Sequence, residues 1–347
     1  MTIRDLARIA GVSHSTVSRS LNDSPLISES TKKRIRELAK KYHFELNASA
    51  QSLSTRKTGT IGIIFPELYE EYRNLQYLGL LLNNLRYRHE KNNLDSIITF
   101  PRNHYTHQSN IVRMIKRRKV DGLLMVIPEI EENDWNFILE SDIPFVLLHF
   151  KQKHRYTEDI DYLYTDHFKG GYLATEHLIK AGHTKILCLT DKHDFVEYEH
   201  RTAGYKRALS DYNIKVDEKR IFSGICTFKF GYDVIRENKD ILKDTEAIFA
   251  QADLMALGVI EALRQENYKV PQDIAVVGYD DIELGTFLKP TLTTIHQPRE
   301  KHAVLAIERL VELINNTNVD ARMQLTVEPK LIVRESCGTG KQQACSA

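Results

Sequence analysis

Ile3, Leu6, Ala7 and Ala10 recur at i, i+3, i+4 and i+7, which predicts a short helix with one continuous apolar face. The pattern breaks at Gly11. Ser13 then offers an N-cap for a second helix, on which Val17 and Leu21 point one way. Ser15, Ser18, Arg19 and Asn22 share another face, and it is polar. A third helix, capped by Ser28, sets Ile35, Leu38, Ala39 and Tyr42 on one side. Three short helices can just close a small core. An apolar helix, a tight turn and a helix with a hydrogen-bonding outer face is the layout of a helix-turn-helix, whose second helix enters the DNA major groove. The pattern alone equally describes a helical hairpin around a glycine.

From about residue 59 short apolar runs alternate with helical patterns. The runs are 61–65, 96–100, 122–127, 144–149, 185–190, 246–250 and 273–278. Helices are expected through Leu75, Leu78, Leu82 and Leu85, over 106–118 and near 131–141. Unbroken apolar strands alternating with helices imply parallel sheets covered on both faces. Residues 60–337 are too many for one such sheet, so two lobes are expected. Between head and body, residues 47–60 are small and polar, with Leu53 as the one large apolar side chain. They read as a linker in which Ala48 to Gln51 could form a short helix. The last ten residues, 338–347, read as a disordered tail.

Charge sharpens this division. The whole chain of 347 residues carries a formal charge of only +1. Residues 1–58 hold eleven Lys and Arg against five Asp and Glu, so the head is +6 and the rest is −5. A basic head on a mildly acidic body suits phosphate binding. The basic stretch 31–41 would otherwise be a solvated face. The chain is 42% hydrophobic, with a mean hydropathy of −0.38. No stretch approaches the ~20 apolar residues of a membrane span. The N-terminus carries Asp5 and lacks an apolar signal-peptide core, so a cytoplasmic protein is expected. Cys188, Cys226, Cys337 and Cys345 lack Cys-x2-Cys spacing and read as reduced thiols, the last two in the tail, with no metal site. No GxGxxG follows a strand, and neither a Walker A motif nor a GxSxG elbow occurs. Asp280 and Asp281 are adjacent on one strand end and make a poor acid–base pair. An enzyme is not expected, and no cofactor is implied.

Seven segments occur in a telling order: DLARIAGVSHSTVSRSLN, NASAQSLSTRKTGTIGIIFP, LATEHLIKAGHTKI, HRTAGYKRAL, DLMALGVIEAL, DIAVVGYDDIELGTFLKPTLTTIHQP and LIVRES. Together they resemble the LacI/GalR family of bacterial transcription regulators over residues 2–336. The resemblance implies an α/β fold: a three-helix helix-turn-helix head over 1–46, a hinge over 47–59, and a core over 60–337. The core resembles a periplasmic binding protein, with two doubly wound parallel-sheet lobes. Lobe 1 would take about 60–161 and 293–325, and lobe 2 about 162–292 and 326–337.

Roles follow by position. His14 and Ser15 match the positions that discriminate sequence, and Arg19 a base-reading arginine, since Arg can grip guanine O6 and N7 with two bonds. Thr16, Ser18 and Asn22 match phosphate contacts. Asn47, Ala50 and Leu53 match hinge positions at the DNA, with Leu53 the minor-groove wedge. Packing against its own core is the alternative for Leu53. In the body, Arg201 and Asp280 match opposed cleft residues, suited to the vicinal hydroxyls of a sugar. A turn cap is the alternative for Asp280, but ligands bind at such strand ends. Tyr69, Tyr72, His149, Phe195 and Asp253 complete the implied effector set, although the two tyrosines could be exposed loop aromatics.

Two departures stand out. Leu46 replaces the family's usual Pro before the hinge, and Ala252 replaces an Asn or Asp beside Asp253. The second, with His149, points to an altered effector, larger or less hydroxylated. The resemblance thus implies a homodimeric repressor binding a pseudopalindromic operator, controlled by a sugar or sugar derivative, with a nucleobase or nucleoside as the alternative. No C-terminal heptad for a tetramer is present.

Overall fold

The structure is a computed structural model that describes residues 1–44, 57–66, 75–151, 159–193, 195–317 and 321–338. The head contains α1 (Ile3–Ala10), α2 (His14–Leu21) and α3 (Glu29–Lys41). Thr2 and Asp5 cap α1 reciprocally, and Ser13 and Ser28 cap α2 and α3. Gly11 has φ +65°, a left-handed turn that a residue with a Cβ enters at a cost. Leu6, Ala7, Ala10, Val17, Ile35 and Ala39 bury together. Tyr42, expected in this core, is 41% exposed, and Phe44 packs there instead. The chain turns at His43, φ +49°, just past the end of α3, and this brings Phe44 back.

The core has two six-stranded sheets. The first is ordered β11-β5-β4-β3-β1-β2, all parallel. Its strands are β1 (Thr60–Ile64), β2 (Asp95–Thr99), β3 (Gly122–Met125), β4 (Phe145–Leu148), β5 (Tyr162–Thr165) and β11 (Gln324–Val327). Around it lie α4 (Leu75–Lys91), α5 (Asn110–Lys116) and α6 (Glu132–Glu140). On α4 the buried face is Tyr77, Leu78, Leu81 and Leu85, with Leu82 only half-buried.

The second sheet is ordered β12-β10-β9-β8-β6-β7, parallel except for the edge strand β12 (Lys330–Ile332). The others are β6 (Ile186–Asp191), β7 (Ile221–Gly224), β8 (Ala247–Ala250), β9 (Ala275–Tyr279) and β10 (Thr293–His296). Helices α7 (His167–Lys180), α8 (Val196–Asp211), α9 (Phe228–Glu237) and α10 (Asp253–Gln265) cover it, and α11 (Arg299–Ile314) returns to the first sheet. Strand membership corrects the expected lobe limits. β5 and all of β11 belong to the first sheet and β10 to the second, so the chain crosses after Thr165, after His296 and after Val327. These strands lie next to the crossings, where backbone pairing rather than an apolar run defines them.

Two glycines fix how α7 and α8 meet. A Cβ on Gly171 would stand 2.1 Å from the Arg201 carbonyl oxygen, and one on Gly204 2.1 Å from that of Phe168. Cys337 corrects another expectation. It is buried against the second sheet, with Thr293 Oγ1 3.0 Å from its sulfur, rather than part of a tail. Cys345 and residues 339–347 lie outside the described residues.

Candidate functional site

In the head, α2 offers its outer face to solvent. His14, Ser15 and Arg19 are exposed, while Thr16, Ser18 and Asn22 are half-buried at its flanks. Val17 and Ser20 face inward, Ser20 donating to the Thr16 carbonyl at 2.7 Å. Part of the basic charge is structural. Lys32 and Arg36 pair with Asp23 at 3.0 and 2.8 Å, and Arg34 donates to the Ala10 carbonyl. Arg4, Lys33, Lys40 and Lys41 are exposed. Asn47, Ala50 and Leu53, with Leu46, lie outside the described residues. Where the chain enters lobe 1, the Asp121 carboxylate accepts from the Thr58 and Gly59 amides at 2.7 and 2.8 Å and from the Thr58 hydroxyl.

The second constellation gathers at the carboxyl ends of the parallel strands, where the two lobes face each other, the usual ligand position in such sheets. Arg201, on the first turns of α8, is 2% exposed. Its guanidinium stacks on Tyr279 at 3.7 Å and Tyr198 at 4.6 Å from the ring centroids. Nη1 donates to the Gln251 carbonyl at 2.5 Å and Nε to His167 Nδ1 at 3.2 Å. Asp280, fully buried, accepts from Gln297 Nε2 at 2.7 Å; Thr165 Oγ1 donates in turn to Gln297 Oε1 at 3.3 Å. Arg299 reaches the Asp280 carbonyl at 3.2 Å. Asp280 is therefore part of a relay between lobes rather than a turn cap. Its φ of +117° and the +76° of His149 are strained for residues with a Cβ, and such strain concentrates at ligand sites.

His149 directly follows β4 in lobe 1, and His167 opens α7 in lobe 2, with ring centroids 6.3 Å apart. Burial, reinforced for His167 by Arg201 and for His149 by His302, holds both imidazoles well below their ordinary pKa, hence neutral. His149 Nδ1, His167 Nε2 and the Tyr77 hydroxyl are buried without a hydrogen-bond partner among the described residues. Beside His167 a cavity of about 190 Å³ opens between Lys151, Thr165 and Thr326 on one side and Glu197 and His200 on the other.

The structure thus brings Arg201, Asp280 and His149 together. Phe195 sits at the start of α8, its ring 5.5 Å from that of His193, at the lip of lobe 2. Asp253 is a correction. Its oxygens accept from Thr294 Oγ1 at 2.6 Å and the Ile282 amide at 2.9 Å, so it pins β10 and the loop after β9 inside lobe 2. Burial, with Asp280 nearby, raises its pKa well above the usual carboxylate range. Tyr69 and Tyr72 lie outside the described residues. Sequence reading missed His167, Gln297, Tyr77 and Tyr279. Only Tyr279, beside Asp280, carried a signal. Among the described residues no group of His, Cys, Asp and Glu could hold a metal ion, and no helix is long and apolar enough to cross a membrane.

Known proteins agree with this architecture. Residues 2–47 match the bacterial regulatory proteins of the lacI family, and residues 175–337 match a periplasmic binding protein-like domain. The HTH-type transcriptional repressor PurR of Vibrio campbellii (strain ATCC BAA-1116) is 31% identical over 338 residues, 96% of this chain and 98% of that protein. PurR of Vibrio vulnificus (strain CMCP6) is 32% identical over 339 residues, with the same coverage. Among solved structures, the transcriptional regulator CelR–cellobiose complex superposes with a TM-score of 0.71 at 26% identity, over 97% of this chain and 99% of that one. The lac repressor dimer bound to operator and the anti-inducer ONPF gives a TM-score of 0.77 at 23% identity and the same coverage, a likeness of fold. With the helix-turn-helix head and the two-lobed core, these matches place the chain in the LacI family, as a DNA-binding transcriptional repressor and not an enzyme.

Proposed function

We propose that this repressor acts as a cytoplasmic homodimer on a pseudopalindromic operator and is controlled by a sugar or sugar derivative bound between its lobes. His14, Ser15 and Arg19, on the exposed face of α2, read base edges. Thr16, Ser18 and Asn22 hold phosphates, and Asn47, Ala50 and Leu53 act at the hinge. One observation carries the effector reading: both lobes send buried polar groups to one place, Arg201, Asp280 and His167 from one and His149 from the other. A ligand bonded to both lobes favours one closure over another, and that difference in affinity is what a switch requires.

A nucleobase or nucleoside is the second reading, favoured by the aromatic rings of Tyr198 and Tyr279 on Arg201 and of Tyr77 against His149. A thermal-shift screen of sugars, sugar phosphates, nucleobases and nucleosides separates the two, because a ligand of the native state raises the melting temperature. The hit should change operator affinity by about 5- to 150-fold. A ligand that binds the cleft and leaves operator affinity unchanged would refute the switch.

A further inference from the structure

Helix α11 joins the cleft to the place where the chain enters lobe 1. Its sixteen residues span about 24 Å. At its first residue, Arg299 Nη1 donates to the Asp280 carbonyl at 3.2 Å, across the seam between the lobes. Just before it, Gln297 Nε2 donates to the Asp280 carboxylate at 2.7 Å. Asp280 has a φ of +117°, so a ligand that draws on its carboxylate turns a strained residue whose carbonyl Arg299 grips. Along its length α11 is fixed to lobe 1. Ala303, Ala306, Ile307 and Leu310 are buried together with Leu81 and Leu85 of α4, and Arg309 Nε meets Asp161 Oδ1 at 2.6 Å. A helix packed in this way moves as a body, by small slides.

Its far end rests on the entry to the lobe. Leu310 and Ile314 lie on Gly122, the first residue of β3, where a Cβ would stand 2.9 Å from Leu310 Cδ1 and 3.0 Å from Ile314 Cδ1. The residue before Gly122 is Asp121, whose carboxylate holds the Thr58 and Gly59 amides at 2.7 and 2.8 Å. The C-cap Asn315 adds a second tie, its Oδ1 accepting from Lys57 Nζ at 2.7 Å.

We infer that α11 is the strut by which the state of the cleft reaches residues 57–59, with Arg299 and Asp121 as positioning residues at its two ends. The inference rests on the proposed effector role of the cleft. An effector that favours one closure displaces Asp280 relative to lobe 1. Arg299 passes that displacement to α11, whose slide over Gly122 shifts Asp121 and Asn315 and, with them, the anchorage of the entering chain. No contact between effector and hinge is needed, because one packed helix touches both ends of the lobe.

The test has two arms, both on the full-length protein. The first needs no ligand: hydrogen exchange, resolved by NMR, follows the Thr58 and Gly59 amides. The Lys192 amide, bonded to the Gly224 carbonyl in lobe 2, is the internal control. Arg299→Gln should change exchange at Thr58 and Gly59 by about threefold or more and leave Lys192 within about twofold. In the second arm, sugars, sugar phosphates, nucleobases and nucleosides are screened by melting temperature, and the compound with the largest shift is titrated with and without labelled operator. Asp121→Ala should bind that compound within about twofold of the native affinity, while the change it causes in operator affinity falls about threefold or more. Asp121→Asn keeps the side chain's shape and one of its two acceptor oxygens, so it should fold even where Asp121→Ala does not, and should lose part of the response. Combining Arg299→Gln with Asp121→Ala should lower the response no further than the more severe single variant, because both cut one path. Unchanged Thr58 and Gly59 exchange in Arg299→Gln, a full operator response in the Asp121 variants, or additive losses in the double variant overturns this inference alone. If no compound shifts the melting temperature, the effector reading fails by itself, and the exchange arm still decides whether α11 links the cleft to residues 57–59.

Discussion

Gly171→Ala should separate the effector response from DNA reading. The added Cβ would sit 2.1 Å from the Arg201 carbonyl oxygen, about 1.3 Å short of an ordinary 3.4 Å contact, with the Arg201 Cα and carbonyl carbon both at 2.8 Å. All three atoms are backbone, so no side chain can swing aside. Helices α7 and α8 must part by about 1 Å, and overpacking of this kind typically costs ~1–3 kcal/mol. The displacement falls on Arg201 itself, whose 2.5 Å bond to Gln251 and 3.7 Å stack on Tyr279 tolerate little movement. The head has its own core, so operator binding without effector should persist. Urea denaturation measures the first effect, and anisotropy of a labelled operator with and without effector measures the second. Gly79→Ala is the control. It is exposed within α4 with nothing within 4 Å of its Cβ, and should stabilise by ~0.5–1 kcal/mol. A Gly171→Ala protein within ~0.5 kcal/mol of the native one, with its effector response intact, would refute the reasoning.

Arg19→Ala should cost ~1–3 kcal/mol of operator affinity and relax discrimination at one base pair, measured against single-substitution operators; a uniform loss across all of them would mark Arg19 as a phosphate contact. Asp253→Asn should keep both the fold and the effector response, since the native carboxyl favours its neutral form, while Asp253→Ala should destabilise; a lost response in a stable Asp253→Asn would restore Asp253 to the cleft. His302 is buried on α11, facing Tyr164, Lys301 and Glu300, and burial lowers its pKa to about 4. Its native form binds fewer protons than the unfolded chain below pH 6.5, so stability falls as pH drops from 6.5 towards 4, by ~3 kcal/mol in all. Urea midpoints at pH 7 and pH 5 should therefore differ less in His302→Asn than in the native protein. Arg309→Ala removes the 2.6 Å partner of the buried Asp161 carboxylate, which keeps the Met323 amide at 2.7 Å and Arg322 at 3.5 Å, and should cost ~1–3 kcal/mol; a melting temperature within a degree of native would contradict that.

The apolar runs of β1, β3, β4, β6, β8 and β9 were legible because each is buried on both faces and composed of little else. β5, β10 and β11 were not. Their residues, YLYT, TTIH and QLTV, form no unbroken apolar run, and they are strands through backbone pairing beside the crossings between lobes. The candidate site divides the same way. Arg201 and Asp280 stand in motifs with family counterparts. His167 and Gln297 gain their roles from crossover geometry, which brings residues 165, 280 and 297 within bonding reach. Asp253 misled because a motif position says nothing about which way a carboxylate turns.

The three crossings also govern the order in which this molecule becomes itself. The head closes its core with its first 44 residues, whereas the first sheet lacks an edge until β11 emerges and the second until β12. At ~5–20 residues per second the reader leads its sensor by roughly 15–55 s on every ribosome. A chain cut before Gln324 therefore lacks an edge strand in both sheets at once and leaves the reader whole. Copies terminated there would carry a DNA-reading head that no effector could address.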